Sequence, residues 1–211
     1  MTENNIKKLT GDSAAPLILA SASAARVALL RGAGLAFSAK PAAVDENAVK
    51  EEMSGRGAPA EDTAMALAAL KAERISQREP DALVIGADQL LDCEGQWFDK
   101  AVDREDARAQ LDALRGRTHG LATAVCVAHA GRTIWRYVET PDLRMRDLSD
   151  KFIEDYLTAA SEEATGCVGA YRLEGLGAQL FAQIKGDYFT ILGLPLLPLL
   201  GFLREHDVVP K

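Results

Sequence analysis

Ala82-Leu83-Val84-Ile85-Gly86-Ala87-Asp88-Gln89-Leu90-Leu91 is the stretch on which the fold turns. It follows the Pro80-Asp81 turn and reads from Ala82 to Ala87 as one continuous apolar run, the pattern of a strand buried on both faces. Asp88-Gln89 interrupts the run before Leu90-Leu91 resumes it. An ionised carboxylate in such a setting is costly unless a metal, a lysine or a hydrogen-bond donor compensates it. Gly86, close by, lets other groups approach. In an open α/β sheet, ligands gather at the carboxyl ends of strands, which is where this aspartate is expected to fall. The competing reading is a strand-ending Asp that caps a turn.

Upstream, Thr63 to Ser76 carries Ala64, Leu67, Ala68 and Ile75 at helical spacing, with Lys71 on the same stripe. Its ammonium either snorkels to solvent or meets an anion at a site. Earlier still, Leu17 to Ala20 is a short apolar run followed by Ser21-Ala22-Ser23 and a helical pattern from Ala24 to Gly32. This reads as strand, turn and helix, with Ser23 as N-cap. Ser21, Ser23 and Arg26 therefore cluster where free backbone N–H groups and a positive helix end favour a phosphate. A simple cap explains the serines equally well, but not the arginine. Phe37 to Val44 reads as a second extended segment ending at Asp45-Glu46, and the charged, Gly-containing Lys50 to Pro59 as the connection to the next helix. Taken singly, Asp45-Glu46 and Asp99-Lys100 read as solvated loop charges.

Downstream the pattern predicts a turn at Glu94-Gly95, a helix over Arg104 to Leu114, and strands over Leu121 to Ala128 and Thr133 to Val138 joined by a hairpin around Gly131. Leu143 to Met145 extends this antiparallel part, and Asp150 to Ala160 is helical with Ser149 as its cap. Gly166, Gly169, Gly175, Gly177, Gly186 and Gly193 punctuate the last quarter, and Pro195 opens a final amphipathic helix to about His206.

The composition limits the function classes. Of 211 residues, 48% are hydrophobic and 26% charged, the balance of a chain able to bury a core. A net charge of −7 opposes a broad nucleic-acid footprint. Cys93, Cys126 and Cys167 are odd in number without a CxxC, which fits reduced thiols in a cytosol, and the scattered His119, His129 and His206 build neither a zinc cluster nor a triad. Residues 1–15 read as a polar flexible tail lacking a signal-peptide core, and residues 16–211 as a single two-lobed domain. Ile191 to Leu203 is too short to span a bilayer, which needs about 20 apolar residues, and its apolar face could be covered internally or in a homodimer. No GxGxxG or GxxxxGK[ST] is present, so neither a dehydrogenase nor a P-loop enzyme is indicated.

Taken in order, Leu19-Ala20-Ser21-Ala22-Ser23-Ala24-Ala25-Arg26, Val44-Asp45-Glu46, Leu70-Lys71-Ala72 and Ile85-Gly86-Ala87-Asp88-Gln89 resemble the motifs of the Maf family. So do Gly116-Arg117-Thr118-His119, Gly169-Ala170-Tyr171, Glu174-Gly175-Leu176-Gly177, Gly186-Asp187-Tyr188 and Leu192-Gly193-Leu194-Pro195-Leu196. The resemblance covers essentially the whole chain after the tail. It implies an α/β fold of the Maf/ITPase-like kind, an elongated mixed sheet with flanking helices and a cleft between two lobes.

It also implies a pyrophosphatase acting on nucleoside triphosphates, often with a house-cleaning preference for modified bases. By the same resemblance Asp88 is the proton acceptor for water, Glu46 with Asp88 holds a divalent metal (Mg²⁺ foremost, Mn²⁺ or Co²⁺ as alternatives), and Arg26, Lys71 and Lys100 face the triphosphate. The other reading that the family suggests is a nucleotide-binding regulator of cell division with little catalysis. A retained water-activating carboxylate argues against it. The partner is thus a small-molecule nucleoside triphosphate, with no nucleic acid and no membrane.

Two departures stand out. The family's Ser-Pro-x-Arg turn reads Ser23-Ala24-Ala25-Arg26, and its Lys-Pro pair reads Lys100-Ala101, so both loops lose a rigid proline. Within the family, positions matching Ala25, Gln89 and Glu174 separate dTTP/UTP-cleaving members, with Arg, Thr and Gln there, from those that resemble the 7-methyl-GTP-cleaving group. Gln89 and Glu174 resemble the second group, while Ala25 matches neither. A carboxylate at Glu174 suits guanine, because it accepts from the ring N–H and the exocyclic amine, and N7-methylation adds a positive charge that a carboxylate favours.

Overall fold

The computed structural model describes residues 15–210, so the expected tail, Ala15 apart, lies outside the described residues. From the amino terminus the elements are β1 (Leu17–Leu19), α1 (Ala24–Gly32), β2 (Ser38–Ala39), α2 (Glu46–Gly55), α3 (Ala60–Ser76), β3 (Leu83–Cys93) and β4 (Gln96–Phe98). There follow α4 (Arg104–Leu114), β5 (Thr118–His129), β6 (Arg132–Glu139), β7 (Asp142–Met145), α5 (Asp150–Ala160), β8 (Phe181–Lys185), α6 (Tyr188–Ile191) and α7 (Leu196–Glu205). Among the described residues the strands form one mixed sheet of eight, ordered β2-β1-β3-β5-β7-β8, with β4 paired to β3 and β6 to β5. The chain is thus α/β, a mixed sheet with flanking helices. It divides into two compact units, the first made of residues up to Gln89 with Thr123–Glu139 and the segment from Gly193, the second of Leu90–Ala122 and Thr140–Leu192.

In the first unit β1 lies between β2 and β3 and is parallel to both. All three of its residues are buried, which is why it reads as an unbroken apolar run. Its pairing with β3 stops at Leu19 opposite Ile85, and Ala20 N–H donates to the Ile85 carbonyl at 2.8 Å. β3 itself does not stop at Asp88-Gln89: it is one strand of 11 residues. Asp88 therefore lies in mid-strand, just beyond the carboxyl end of its parallel neighbour, not at the end of its own strand.

Helix α3 covers this part of β3 with a stripe of small residues. Ala60, Ala64, Ala68 and Ala72 recur every four positions and all are buried.

 Their methyl groups let the helix backbone come close to Gly86, where an added Cβ would sit 2.1 Å from the Ala68 carbonyl oxygen and 2.8 Å from the Ala72 Cβ. Gly86→Val is expected to cost on the order of 1–3 kcal/mol, the usual range for overpacking, because the obstacle is backbone and cannot swing aside. Thermal or urea unfolding of the variant checks this, and an unchanged midpoint would remove the close packing from the account. The hairpin of β5 and β6 is tied to the same helix: Gly131 N–H donates to Ser76 Oγ at 3.0 Å, and Thr133 donates to Glu73 Oε1 through its N–H (3.1 Å) and its hydroxyl (2.8 Å). Helix α7 buries Leu196, Leu199, Phe202 and Leu203 within the chain, so its apolar face is covered internally.

Sequence and structure differ at the segment after Phe37. Only Ser38–Ala39 is strand, and the charged stretch expected as a connection is largely helix α2. Asp45 caps that helix by accepting from Ala48 N–H at 3.1 Å, and Glu46 stands in its first turn, where a negative charge suits the positive helix end. No residue of α2 is fully buried, so the helix lacks the apolar stripe by which helices are recognised. Helix α3 likewise starts at Ala60, a few residues before Thr63, with Pro59 preceding it.

The second unit has its own core, with Leu91, Leu111, Leu121, Leu143, Met145, Ile153 and Leu180 among its buried members. Helices α4 and α5 pack on each other, capped by Asp103 (from Asp106 N–H, 2.8 Å) and Ser149 (from Phe152 N–H, 3.2 Å). Strand β8 pairs antiparallel with β7. No helix among the described residues is long and apolar enough to cross a membrane.

Candidate functional site

The first unit gathers most of the residues singled out by sequence. Lys71, in the last half of α3, points its Nζ at Asp88 Oδ1 (2.6 Å) in mid-β3 and at Glu46 Oε1 (2.8 Å) in the first turn of α2. The side chains of Lys71 and Asp88 are each 9% exposed, whereas Glu46 keeps 42%, so a buried ion pair opens to solvent through one carboxylate. Lys71 does not snorkel; it meets two anions.

The turn after β1 supplies the next group. Ser23 accepts from Arg26 N–H at 3.4 Å as the N-cap of α1, and Ser23 N–H donates to the buried Ser21 Oγ at 3.1 Å. The Arg26 guanidinium donates through Nε to the Gly193 carbonyl at 2.8 Å and through Nη1 to Ser21 Oγ at 3.4 Å. Gly193 has a φ of +99°, a conformation that L side chains rarely adopt, so the turn presenting that carbonyl favours glycine. Arg26 is thus fixed by a distant backbone group despite Ala24 standing where the family has proline. Ala25 is half-buried in the first turn of α1.

Burial pushes the Asp88 carboxyl above the usual carboxylate range, opposed by the positive charges of Lys71 and Arg26. Burial lowers the Arg26 guanidinium in turn, opposed by Asp88 and Glu46. The four charges therefore act on one another as a group. Gln89, the next residue along β3, donates through Nε2 to Thr123 Oγ1 of β5 at 2.8 Å. Among the described residues no group of three or more His, Cys, Asp or Glu side chains is placed to hold a metal ion. Glu46 and Asp88 are the two carboxylates that converge.

Lys100 and Glu174 belong to the second unit. Lys100 is exposed and forms an isolated antiparallel bridge with Val168, while Ala101 behind it is buried, so this loop is anchored without its proline. Glu174 Oε1 accepts from Arg172 through Nε (3.1 Å) and Nη2 (2.9 Å). Its loop is held from within: Tyr156 Oη donates to the Ala170 carbonyl at 3.0 Å, and Tyr171 Oη lies 2.7 Å from Nε2 of the buried His119.

His119 gives a pH prediction independent of chemistry at the site. Burial pushes its pKa down to about 4 from an ordinary 6.5. The unfolded chain therefore binds a proton between these values that the folded chain refuses, so stability present above pH 6.5 is lost as pH falls towards 4. The loss is on the order of 3 kcal/mol. Urea midpoints at several pH values in this window should fall more steeply for the wild type than for His119→Gln, and equal slopes would remove His119 as the cause.

Sequence reasoning passes over two partners of this cluster, the Gly193 carbonyl and the Thr123 hydroxyl. A main-chain acceptor leaves no mark on residue type. Thr123 sits in an apolar strand, where a buried hydroxyl is the one signal that a polar partner is near.

Fold and site together define a mixed α/β protein whose buried acid is paired with a lysine and lies in the field of an arginine. The chain belongs to the Maf family: residues 16–206 match the family described as Maf-like protein. It is 58% identical over 193 residues to a nucleoside triphosphate pyrophosphatase of Granulibacter bethesdensis, covering 92% of this chain and 98% of that one. A protein of the same name from Paramagnetospirillum magneticum is 53% identical over 194 residues, 92% of this chain and 100% of its own. A 7-methyl-GTP pyrophosphatase of Rhizobium meliloti is 48% identical over 193 residues, 92% and 97% respectively.

Proposed function

We propose that this protein is a nucleoside triphosphate pyrophosphatase, a hydrolase that cleaves a phosphoric anhydride to give a nucleoside monophosphate and pyrophosphate. The observation that carries the reading is the Lys71 ammonium bonded at once to Asp88 (2.6 Å) and Glu46 (2.8 Å) beside Arg26. Asp88 accepts a proton from a water whose oxygen bonds to phosphorus as the bridging P–O bond breaks. Its burial, which raises its proton affinity, suits it to that task. Lys71 and Arg26 neutralise the phosphate oxygens, and Ser21, Ser23 and the start of α1 orient them.

Glu46 and Asp88 would hold a divalent cation, Mg²⁺ ahead of Mn²⁺ or Co²⁺. Two carboxylates with no third acidic, His or Cys neighbour among the described residues fit a hard ion that takes its other ligands from water and phosphate oxygens. When bound, such an ion supplies charge neutralisation at the phosphates.

Base preference rests on Glu174, which accepts from the ring N–H and exocyclic amine of guanine where a pyrimidine edge of the thymine or uracil type offers one N–H. We assign a guanine-type base, 7-methylguanine included, and a cytosolic setting, in keeping with the buried free thiols of Cys93 and Cys126. Pyrophosphate release from 7-methyl-GTP, GTP, dTTP and UTP, with and without Mg²⁺, tests this. Turnover is expected only with the metal and is faster for the guanine nucleotides. Faster turnover of dTTP and UTP would overturn the base assignment, and an inert protein the function.

A further inference from the structure

We propose that Lys71 holds the place of the divalent cation between Glu46 and Asp88, so that metal enters as its complex with the nucleoside triphosphate and not ahead of it. The inference rests on the pyrophosphatase reading and concerns the order in which that site is filled.

The Lys71 ammonium lies 2.6 Å from Asp88 Oδ1 and 2.8 Å from Glu46 Oε1, which is the point where the two carboxylates converge. With only 9% of its side chain exposed, Lys71 would lose two buried partners and gain little water in giving them up. A hydrated cation arriving alone must displace this ammonium from both carboxylates and then remain beside an unpaired buried positive charge. It also meets the field of Arg26, which acts on the same two acids. Each of these terms weakens metal binding to the nucleotide-free protein.

A polyphosphate reverses the balance. Its oxygens accept the hydrogen bonds that Lys71 withdraws from the carboxylates, and its negative charge offsets Lys71 and Arg26 while Glu46 and Asp88 turn to the metal. Lys71 thus exchanges partners, carboxylate for phosphate. Metal and triphosphate are then positively coupled, and the coupling is reciprocal: each raises the affinity of the other by the same factor.

The test uses Mn²⁺ binding, read from the EPR signal of the free ion, for the wild type and Lys71→Gln. Each is titrated alone and with a nucleotide analogue whose αβ-bridging oxygen is replaced by methylene, with allowance for the metal that the analogue holds in solution. Mn²⁺ is expected to bind the wild type about ten-fold or more tightly with the analogue than without it. Lys71→Gln should narrow that gap by binding Mn²⁺ more tightly when alone. Equal Mn²⁺ affinity of the wild type with and without the analogue would overturn the proposal, and so would a gap that Lys71→Gln leaves unchanged. If Lys71→Gln does not fold, Lys71→Met, which fills the same space without the charge, takes its place in the comparison. Hydrolysis of GTP and 7-methyl-GTP by the same wild-type protein in Mn²⁺ separates the two levels. Turnover without coupling removes only the role of Lys71, whereas no turnover of any triphosphate removes the functional reading and this inference with it.

Discussion

Asp88→Asn is expected to lower kcat by roughly 10²- to 10⁴-fold while the protein stays folded, because the substitution removes the proton acceptor and one of the two carboxylates proposed to hold the cation, and leaves the shape of the site unchanged. Asparagine keeps the shape of the side chain within β3, and Lys71 retains Glu46 at 2.8 Å as its counter-ion. Substrate binding should change far less than turnover, since Arg26 and the turn at Ser21 to Ser23 are held by their own hydrogen bonds. Steady-state kinetics with a guanine nucleotide, alongside a circular dichroism melt, reads both quantities. A variant that keeps a tenth of the wild-type kcat would exclude Asp88 as the base.

Lys71→Met is expected to have the largest effect on stability, about 3–5 kcal/mol, the usual consequence of stripping one partner from a buried ion pair. The methionine fills the space, but Asp88 is left buried with only Arg26 among the cations that act on it. The sign of the pH dependence follows. A carboxyl already pushed up by burial rises further without Lys71, so the folded state holds its proton to higher pH than the unfolded chain does. The variant should therefore be closest to wild type near the ordinary carboxylate range and fall away as pH rises towards neutrality. Combining it with Asp88→Asn should restore much of the loss, since the charge that lacked a partner is gone. Urea unfolding of the two single variants and the double variant at two pH values measures this, and simple additivity would show that the pair is not coupled.

The central part of this arrangement is legible in the sequence because it breaks a rule. An acid inside the run from Ala82 to Leu91 and a lysine on the apolar stripe of Thr63 to Ser76 are each out of place, and each is the compensation that the other needs. The flanking hairpin and the capped helices at Asp150 and Arg104 are legible for a different reason, strong periodicity with clear end signals. What stays hidden lacks an apolar face. Helix α2 buries no residue fully and is marked only by its cap at Asp45 and the acid after it, and β8, mostly exposed from Ala182 to Lys185, shows no burial alternation to read. Reading Asp45-Glu46 as loop charge misses that Asp45 starts a helix and Glu46 is delivered by it. The family resemblance supplies Glu46, Lys100 and Glu174, which no local pattern singles out.

The bond from Arg26 to the Gly193 carbonyl joins residues 167 positions apart. During synthesis the arginine leaves the ribosome long before its acceptor exists, so the growing chain carries the guanidinium without this anchor until residue 193 has been added. Products of premature termination upstream of Gly193 should thus lack this anchor for the guanidinium even where their sheet has formed.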